Sequence, residues 1–488
     1  MSNFLYDFIS SLSMREKAYF KRYAQLHSKN KNKNYLKIYE ALHNLPEFEK
    51  NYLSEKFSDS TIGKYLSSEV KYLEDQLMKS LISFHFDNSP KRKIHKHILH
   101  INLLMEKGFR ERALKVLNKT KKLAYKFEDF HNILTLIQYE EEILFTEGIL
   151  GFTEKLKNLK EERARVNAQI QNIVELRLIR EQIREIQFSD GFITDTSKYP
   201  QFYENPFLNN ESDALSLTAK DHFFYIRESR YYITRQYSKG QKASADYLNF
   251  MEQNEFLFTK GKILSTYSNY LYFNALLGDT STFEPCVLKL KTLQKNKEYD
   301  YNYISFIIYT RSLELYYRKE EKDLSSKLLP EVINFFAENK KKMGATQINY
   351  LMLIIIRTYI FLRKTDEAID WLHMWNQQGI LKYTMIHYKL FSLILHIEKE
   401  WHDLLLNEIQ STTIILKNYK QYNELAIAYI RFCKTHLKNP ENFSKQLIKL
   451  RTTLNEIKMD PEKNAHFEYF NFVQWADQMI LINTEKFR

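Results

Sequence analysis

The residues in this chain best suited to chemistry are a few histidines, glutamates and cysteines. Two Glu-x-x-His pairs occur, Glu40 with His43 and Glu128 with His131. On facing helices, two such pairs beside two more glutamates ligate di-iron centres. Here the first pair lies in the N-terminal stretch and the second falls at an expected turn. No metal site is therefore expected. His95, His97 and His100 cluster loosely with no cysteine or acid beside them, and read as a solvated helix start. Cys286 and Cys433 lie far apart in expected helices and read as core residues, not a disulfide framework. His373, between Trp371 and Trp375, reads as a packed histidine. No Gly-rich phosphate loop, GxSxG or HExxH is present. The expectation is a chain without catalytic residues, cofactor or metal; an enzyme of unrecognised type is the third-ranked reading.

Two surfaces offer binding rather than catalysis. Arg227, Tyr231 and Arg235 fall four residues apart on an expected helix that also carries Tyr225, Arg230 and Tyr232. Such a stripe can stack on bases or grip acidic side chains. The plainer alternative is pairing with Glu228 and neighbouring acids. Lys91, Arg92 and Lys93, with Lys96, follow Ser89 and Pro90. They read either as a phosphate-binding strip or as a solvated linker entering the next helix. The net charge of +12, from 72 basic and 60 acidic residues, is mild for 488 residues. It is compatible with nucleic acid or an acidic partner.

Helices must position these groups. Ten glycines and eight prolines are few for this length, so long uninterrupted helices are expected. Gln347 to Gly379 sets the pattern. An apolar helix, Ile348 to Leu362, meets the polar break Arg363–Asp366. A second helix follows, with Ala368, Ile369, Leu372 and Trp375 on one face. Similar hairpins are expected with turns at Gly108, Gly148, Lys239-Gly240, Gly278-Asp279, Lys319-Glu320, Lys399-Glu400 and Asn439-Pro440. Turn markers every ~35–45 residues match helical-pair arrays, in which each pair needs a neighbour to cover its apolar face. A final helix, Ala465 to Ile482, carries Phe467, Phe470, Phe472 and Trp475 and is expected to seal the end.

Arg363 to Ile369 resembles the turn and small-residue contact of tetratricopeptide repeats, as does Leu104 to Leu114 with Gly108 and Ala113 in place. The resemblance spans residues 94 to 460, with two or three units matching in detail. It implies a concave protein-binding surface with no catalytic activity of its own.

The expected fold is all-α: an α-solenoid of stacked TPR-like hairpins over residues 91–488, preceded by an N-terminal helical module over 1–90. In the module, Ser13 and Glu16 have capping-box spacing. The run Lys29 to Asn34 reads as a loop. Thr61 to Phe84 reads as one long helix, with Tyr65, Leu66, Val70, Leu73, Leu77 and Leu81 in register. Short helices before a longer one fit a helix-turn-helix, but Glu69, Glu74 and Asp75 would face phosphates, which favours a plain helical cap. The array is interrupted by a long helix over 152–187, expected to pack along the array rather than self-associate as a coiled coil, and by an irregular loop over 189–213.

The leading functional expectation is a non-enzymatic scaffold or adaptor binding a protein or peptide along its concave face. The alternative is a nucleic-acid-binding regulator with a helical N-terminal module and a repeat sensor domain, by analogy with the layout of bacterial regulators. The start of the chain lacks a basic, apolar leader, and the most apolar window, Tyr350 to Leu362, contains Arg357 and is too short to span a membrane. A cytoplasmic protein without membrane association is expected.

Overall fold

The computed structural model describes residues 4–26, 34–86, 89–147, 152–189, 208, 210–418, 423–460, 463 and 465–485. The described residues form α-helices and short 3-10 helices, and there is no strand among them. By its contacts the chain divides into two units, Met1–Ile170 and Gln171–Arg488.

The first unit begins with α1 (Phe4–Ser11), α2 (Met14–Leu26), α3 (Asn34–His43), α4 (Tyr52–Lys56), α5 (Thr61–Lys64) and α6 (Leu66–His85). The capping box at α2 forms: the Ser13 amide donates to Glu16 Oε2 at 2.7 Å, and the Glu16 amide donates to Ser13 Oγ at 3.3 Å. Residues 61–84 are two helices, not one. Gly63 allows the chain to approach the Phe57 carbonyl so closely that a Cβ would lie 2.2 Å from its oxygen. The helix breaks at Tyr65 and restarts. Phe20, Ile38, Tyr39, Leu73 and Leu77 form the core of this part. The expected loop at Lys29 lies outside the described residues for all but Asn34, which begins α3.

Next come α7 (Pro90–Glu106), α8 (Arg110–Lys126), α9 (Phe130–Glu147) and α10 (Phe152–Ser189). Pro90 sits in the first turn of α7, where its missing N–H costs nothing. α10 is one helix of 38 residues, and its apolar positions Leu159, Val166, Leu176 and Ile183 are already buried within this chain. The turn expected at Gly148 and nearly all of the 189–213 loop lie outside the described residues.

The second unit continues with α11 (Leu217–Ile233), α12 (Tyr237–Gln253), α13 (Lys260–Leu277), α14 (Thr280–Leu293), α15 (Tyr301–Arg318) and α16 (Lys322–Asn339). It then adds α17 (Ala345–Phe361), α18 (Thr365–Gln378), α19 (Met385–Glu398), α20 (His402–Asn418), α21 (Glu424–Lys438), α22 (Phe443–Met459) and α23 (Phe472–Glu485). Consecutive helices pair, and α13, α15, α17, α19 and α21 also pack each on the next odd-numbered helix. Their cores are apolar on nearly all sides, as α17 shows with Leu351 to Ile356 buried without a gap.

The turns inside the hairpins share one geometry. Arg235, Gly278, Glu320, Arg363 and Glu400 all have positive φ, at intervals of 43, 42, 43 and 37 residues. In each, the next amide reaches back to a carbonyl five residues earlier, as with Asp279 to Asn274 at 2.9 Å and Lys364 to Tyr359 at 3.0 Å. This is the Schellman closure, which satisfies the last carbonyls of the first helix.

Three expectations are corrected here. Gly240 is not a turn residue. It lies inside α12, where a Cβ would sit 2.2 Å from the Phe273 ring, and the turn falls at residues 234–236 instead. The end helix is interrupted: residues 465–468 form a 3-10 turn, and α23 begins only at Phe472. His373 is exposed, because Trp371 and Trp375 are one helical turn apart on the buried face and the residue midway points outward.

Candidate ligand cavity

The odd-numbered helices of the second unit line a cavity of about 700 Å³. Its wall is dominated by Tyr225, Tyr232, Tyr272, Tyr303, Tyr350 and Tyr469. A volume of this size holds a drug-sized molecule or a few peptide residues. Two charged side chains also reach it, Arg311 and Glu228.

Arg311, on α15, is held by neutral groups. Its Nε donates to the Ser268 carbonyl at 3.1 Å, its Nη2 to Ser268 Oγ at 3.0 Å and its Nη1 to the Tyr350 hydroxyl at 2.6 Å. The guanidinium lies over the Tyr272 ring at 4.6 Å. No carboxylate forms an ion pair with it among the described residues, and Glu314 supports its charge from a longer distance. Glu228, on α11, accepts from Ser244 at 2.5 Å and from Asn269 at 2.9 Å. Burial pushes its carboxyl up to about 7, against those two hydrogen bonds.

A buried network shares Tyr232, Tyr272 and Tyr469 with the cavity wall. Glu314 accepts from Arg357 at 2.6 Å and from Arg318 at 2.8 Å. Burial alone would raise the Glu314 carboxyl, but the two arginines hold it down to about 2. The segment before α23 runs across this network. The Glu468 carboxylate takes the hydroxyls of Tyr232 (2.9 Å), Tyr237 (3.1 Å) and Tyr272. Its carbonyl takes Arg318, and the Tyr469 carbonyl takes Arg357 at 3.3 Å. The Asn471 amide donates to the Tyr317 hydroxyl at 2.7 Å. One short segment thus contacts α11, α12, α13, α15 and α17 in turn, and Tyr469 forms part of the cavity wall.

The binding residues expected from sequence sit differently. Arg227 pairs with Asp246 on α12 at 2.6 Å and lies over the Phe224 ring at 5.1 Å. Its partner is therefore an acid of the next helix and not Glu228. Tyr231 is half-buried, with the Arg230 guanidinium 5.2 Å from its ring. Arg235 does not share their helix. α11 ends at Ile233, and Arg235 takes the positive-φ turn position. The continuous Arg-Tyr-Arg face is therefore absent, because the turn intervenes. Lys91, Arg92 and Lys93 are exposed in the first turn of α7, where Arg92 donates to the His85 carbonyl at 3.4 Å.

Two histidines of the 95–100 cluster have polar partners on neighbouring helices. His97 and Thr120 lie 3.0 Å apart, as do His95 and Asn132. Glu128 occupies a positive-φ turn position, off the helix that carries His131. No group of three or more His, Cys, Asp or Glu able to hold a metal is found among the described residues. Cys286 and Cys433 are both buried and unpaired. No described helix is long and apolar enough to cross a membrane.

Sequence reading missed Glu228, Arg311, Glu314 and Glu468. A signal was present for the first three. Ser268 and Arg311 are 43 residues apart, as are Glu314 and Arg357, while Glu228 and Asn269 are 41 apart. Polar residues 41 or 43 positions apart inside otherwise apolar helices mark groups that meet between α11, α13, α15 and α17. No protein-family model and no curated protein matches this chain.

Proposed function

We propose that this chain is a non-enzymatic helical-repeat protein whose second unit binds a segment of a protein or peptide partner. Its hairpins stack as a TPR-like α-solenoid, a reading supported by the recurring Schellman turns and the serial packing of α13, α15, α17, α19 and α21. The observation that carries the binding role is the tyrosine-walled cavity on that inner face, with the Arg311 guanidinium in its wall and no carboxylate in an ion pair with it among the described residues. Tyrosines supply large contact area at low entropic cost, and an unpaired guanidinium adds a directional grip. The polar groups around it support binding over catalysis. Ser268 and Tyr350 are engaged by Arg311, and Ser244 and Asn269 by Glu228. A reduced, cytoplasmic setting belongs to the same reading, given two unpaired buried thiols.

The test is an affinity pull-down of tagged full-length protein from its native cells, with and without nuclease. Ser265→Trp is run in parallel, because Ser265 is an exposed residue of the cavity wall and a large ring there obstructs it. A discrete protein that survives nuclease and is lost with Ser265→Trp is the expected result. A partner retained equally by the variant, or no protein that survives nuclease treatment, would overturn the proposal.

A further inference from the structure

The charge of this chain is concentrated in one hairpin. Residues 90–126, which form α7 and α8, contain twelve Lys and Arg against two acids, Glu106 and Glu111. That is a net +10 out of +12 for the whole chain. The remaining residues are close to neutral.

Helical geometry turns this excess into a stripe. Ala113, Leu117, Thr120 and Ala124 form the buried face of α8. Arg112, Lys115, Lys119, Lys122 and Lys126 recur every three or four residues, on the opposite face, and all are exposed. They span 15 residues of helix, or roughly 21 Å from the first Cα to the last. Arg112, Lys115, Lys119 and Lys122 make no ion pair among the described residues. Lys121 points elsewhere and meets Glu140 and Glu162 at 2.7 Å each.

The fold adds a second set of cations at one end. α7 packs on α8, and the His97–Thr120 contact of 3.0 Å brings the first turns of α7 beside the last turns of α8. Lys91, Arg92 and Lys93 therefore add exposed cations near the C-terminal end of α8. The field they make is felt by His97. Burial first, then His100, Lys93, Lys119 and Lys96, push its imidazole below the ordinary range.

We infer that the α7–α8 hairpin is a nucleic-acid-binding surface that grips the phosphodiester backbone without reading base sequence. A row of like cations, four of which make no ion pair among the described residues, matches a polymer of evenly spaced phosphates. Acidic proteins rarely present so regular a row. A membrane surface would want apolar residues in the row of cations; along α8 the apolar face is buried in the fold, and the exposed Leu99, Leu103 and Phe109 lie on α7 and the connecting turn.

The experiment measures binding of full-length protein to a labelled 20-base-pair mixed-sequence DNA duplex, and to one of its single strands, by fluorescence anisotropy from 50 to 300 mM salt. Wild type is expected to bind with a log–log salt slope near −4 for the duplex, and shallower for the single strand. The variant Arg112→Gln/Lys115→Gln/Lys119→Gln/Lys122→Gln changes only exposed side chains. It should weaken binding at least tenfold at 50 mM salt and flatten the slope by about three units. A control, Lys37→Gln/Lys64→Gln/Lys71→Gln/Lys79→Gln, removes the same charge from exposed positions of α3, α5 and α6. It should bind within about twofold of wild type, since distant charges are screened. Equal loss in the control would reduce the effect to net charge and overturn the inference. So would unchanged binding by the α8 variant, or no nucleic-acid binding at 50 mM salt. Sedimentation with phosphatidylserine vesicles in place of nucleic-acid binding would also overturn it.

Discussion

The Arg357 guanidinium and the Glu314 carboxylate meet at 2.6 Å with both side chains almost wholly buried, at 1% and 4% exposure. The pair joins α17 to α15, and Arg357 also reaches the Tyr469 carbonyl. It ties two helices of the array to the segment that crosses them.

Breaking that pair from one side should be costly. Arg357→Met leaves Glu314 with Arg318 alone and strands part of a buried charge. A loss of about 3 kcal/mol is expected in urea unfolding. Replacing both, as Arg357→Met/Glu314→Gln, should recover much of it. A double mutant no better than the single would mean that packing, not charge, dominates there.

The pH dependence around Glu228 has a definite sign. Its folded carboxyl sits near 7, above the ordinary 4.5, so the folded state holds its proton more tightly than the unfolded state. That contribution is complete below about pH 4.5 and is lost as pH rises through 7. Glu228→Gln should therefore match wild type near pH 5 and be more stable at pH 8, by roughly 1–3 kcal/mol. Thermal melts at the two pH values read this directly, and an equal effect at both would refute it.

Gly240 is required by its neighbour. A methyl there meets the buried Phe273 ring, so Gly240→Ala should cost about 2 kcal/mol despite the better helix propensity of alanine. Gly261→Ala, where a Cβ meets nothing within 4 Å, should be neutral or stabilising by up to ~1 kcal/mol. If both variants melt alike, the close approach of α12 to α13 is not as described.

The Schellman turns differ in how well their residues suit them. Gly278 takes positive φ freely, whereas Glu320, at φ 58, does so at a cost of ~1 kcal/mol. Gly278→Ala should destabilise by about that amount. Glu320→Gly should stabilise by somewhat less, because glycine also loosens the unfolded chain. Denaturant midpoints of the two variants should shift in opposite directions.

The helices were legible because their signals are local. A capping residue, a 3.6-residue period or a scarcity of Gly and Pro is read within one or two turns of chain. The capping box at Ser13, the α17–α18 hairpin around Arg363 and the long α10 are all of this kind. The errors are also local in origin. Gly240 looked like a turn glycine because nothing nearby announced Phe273, thirty-three residues on. Arg235 looked helical because a positive-φ arginine carries no mark in sequence.

What the sequence determined by itself is an all-helical chain with polar breaks at near-regular intervals, and the identity of each helix's apolar face. These follow from backbone geometry and side-chain periodicity over a few residues. Tertiary structure alone decided which polar groups meet. The Arg318 guanidinium finds the Glu468 carbonyl 150 residues away, and the Tyr232 hydroxyl finds the Glu468 side chain across 236. It also set the cations of α7 beside those of α8. Such partners are chosen by how helices stack and by the need of every buried polar group for a bond, and no local pattern encodes that choice.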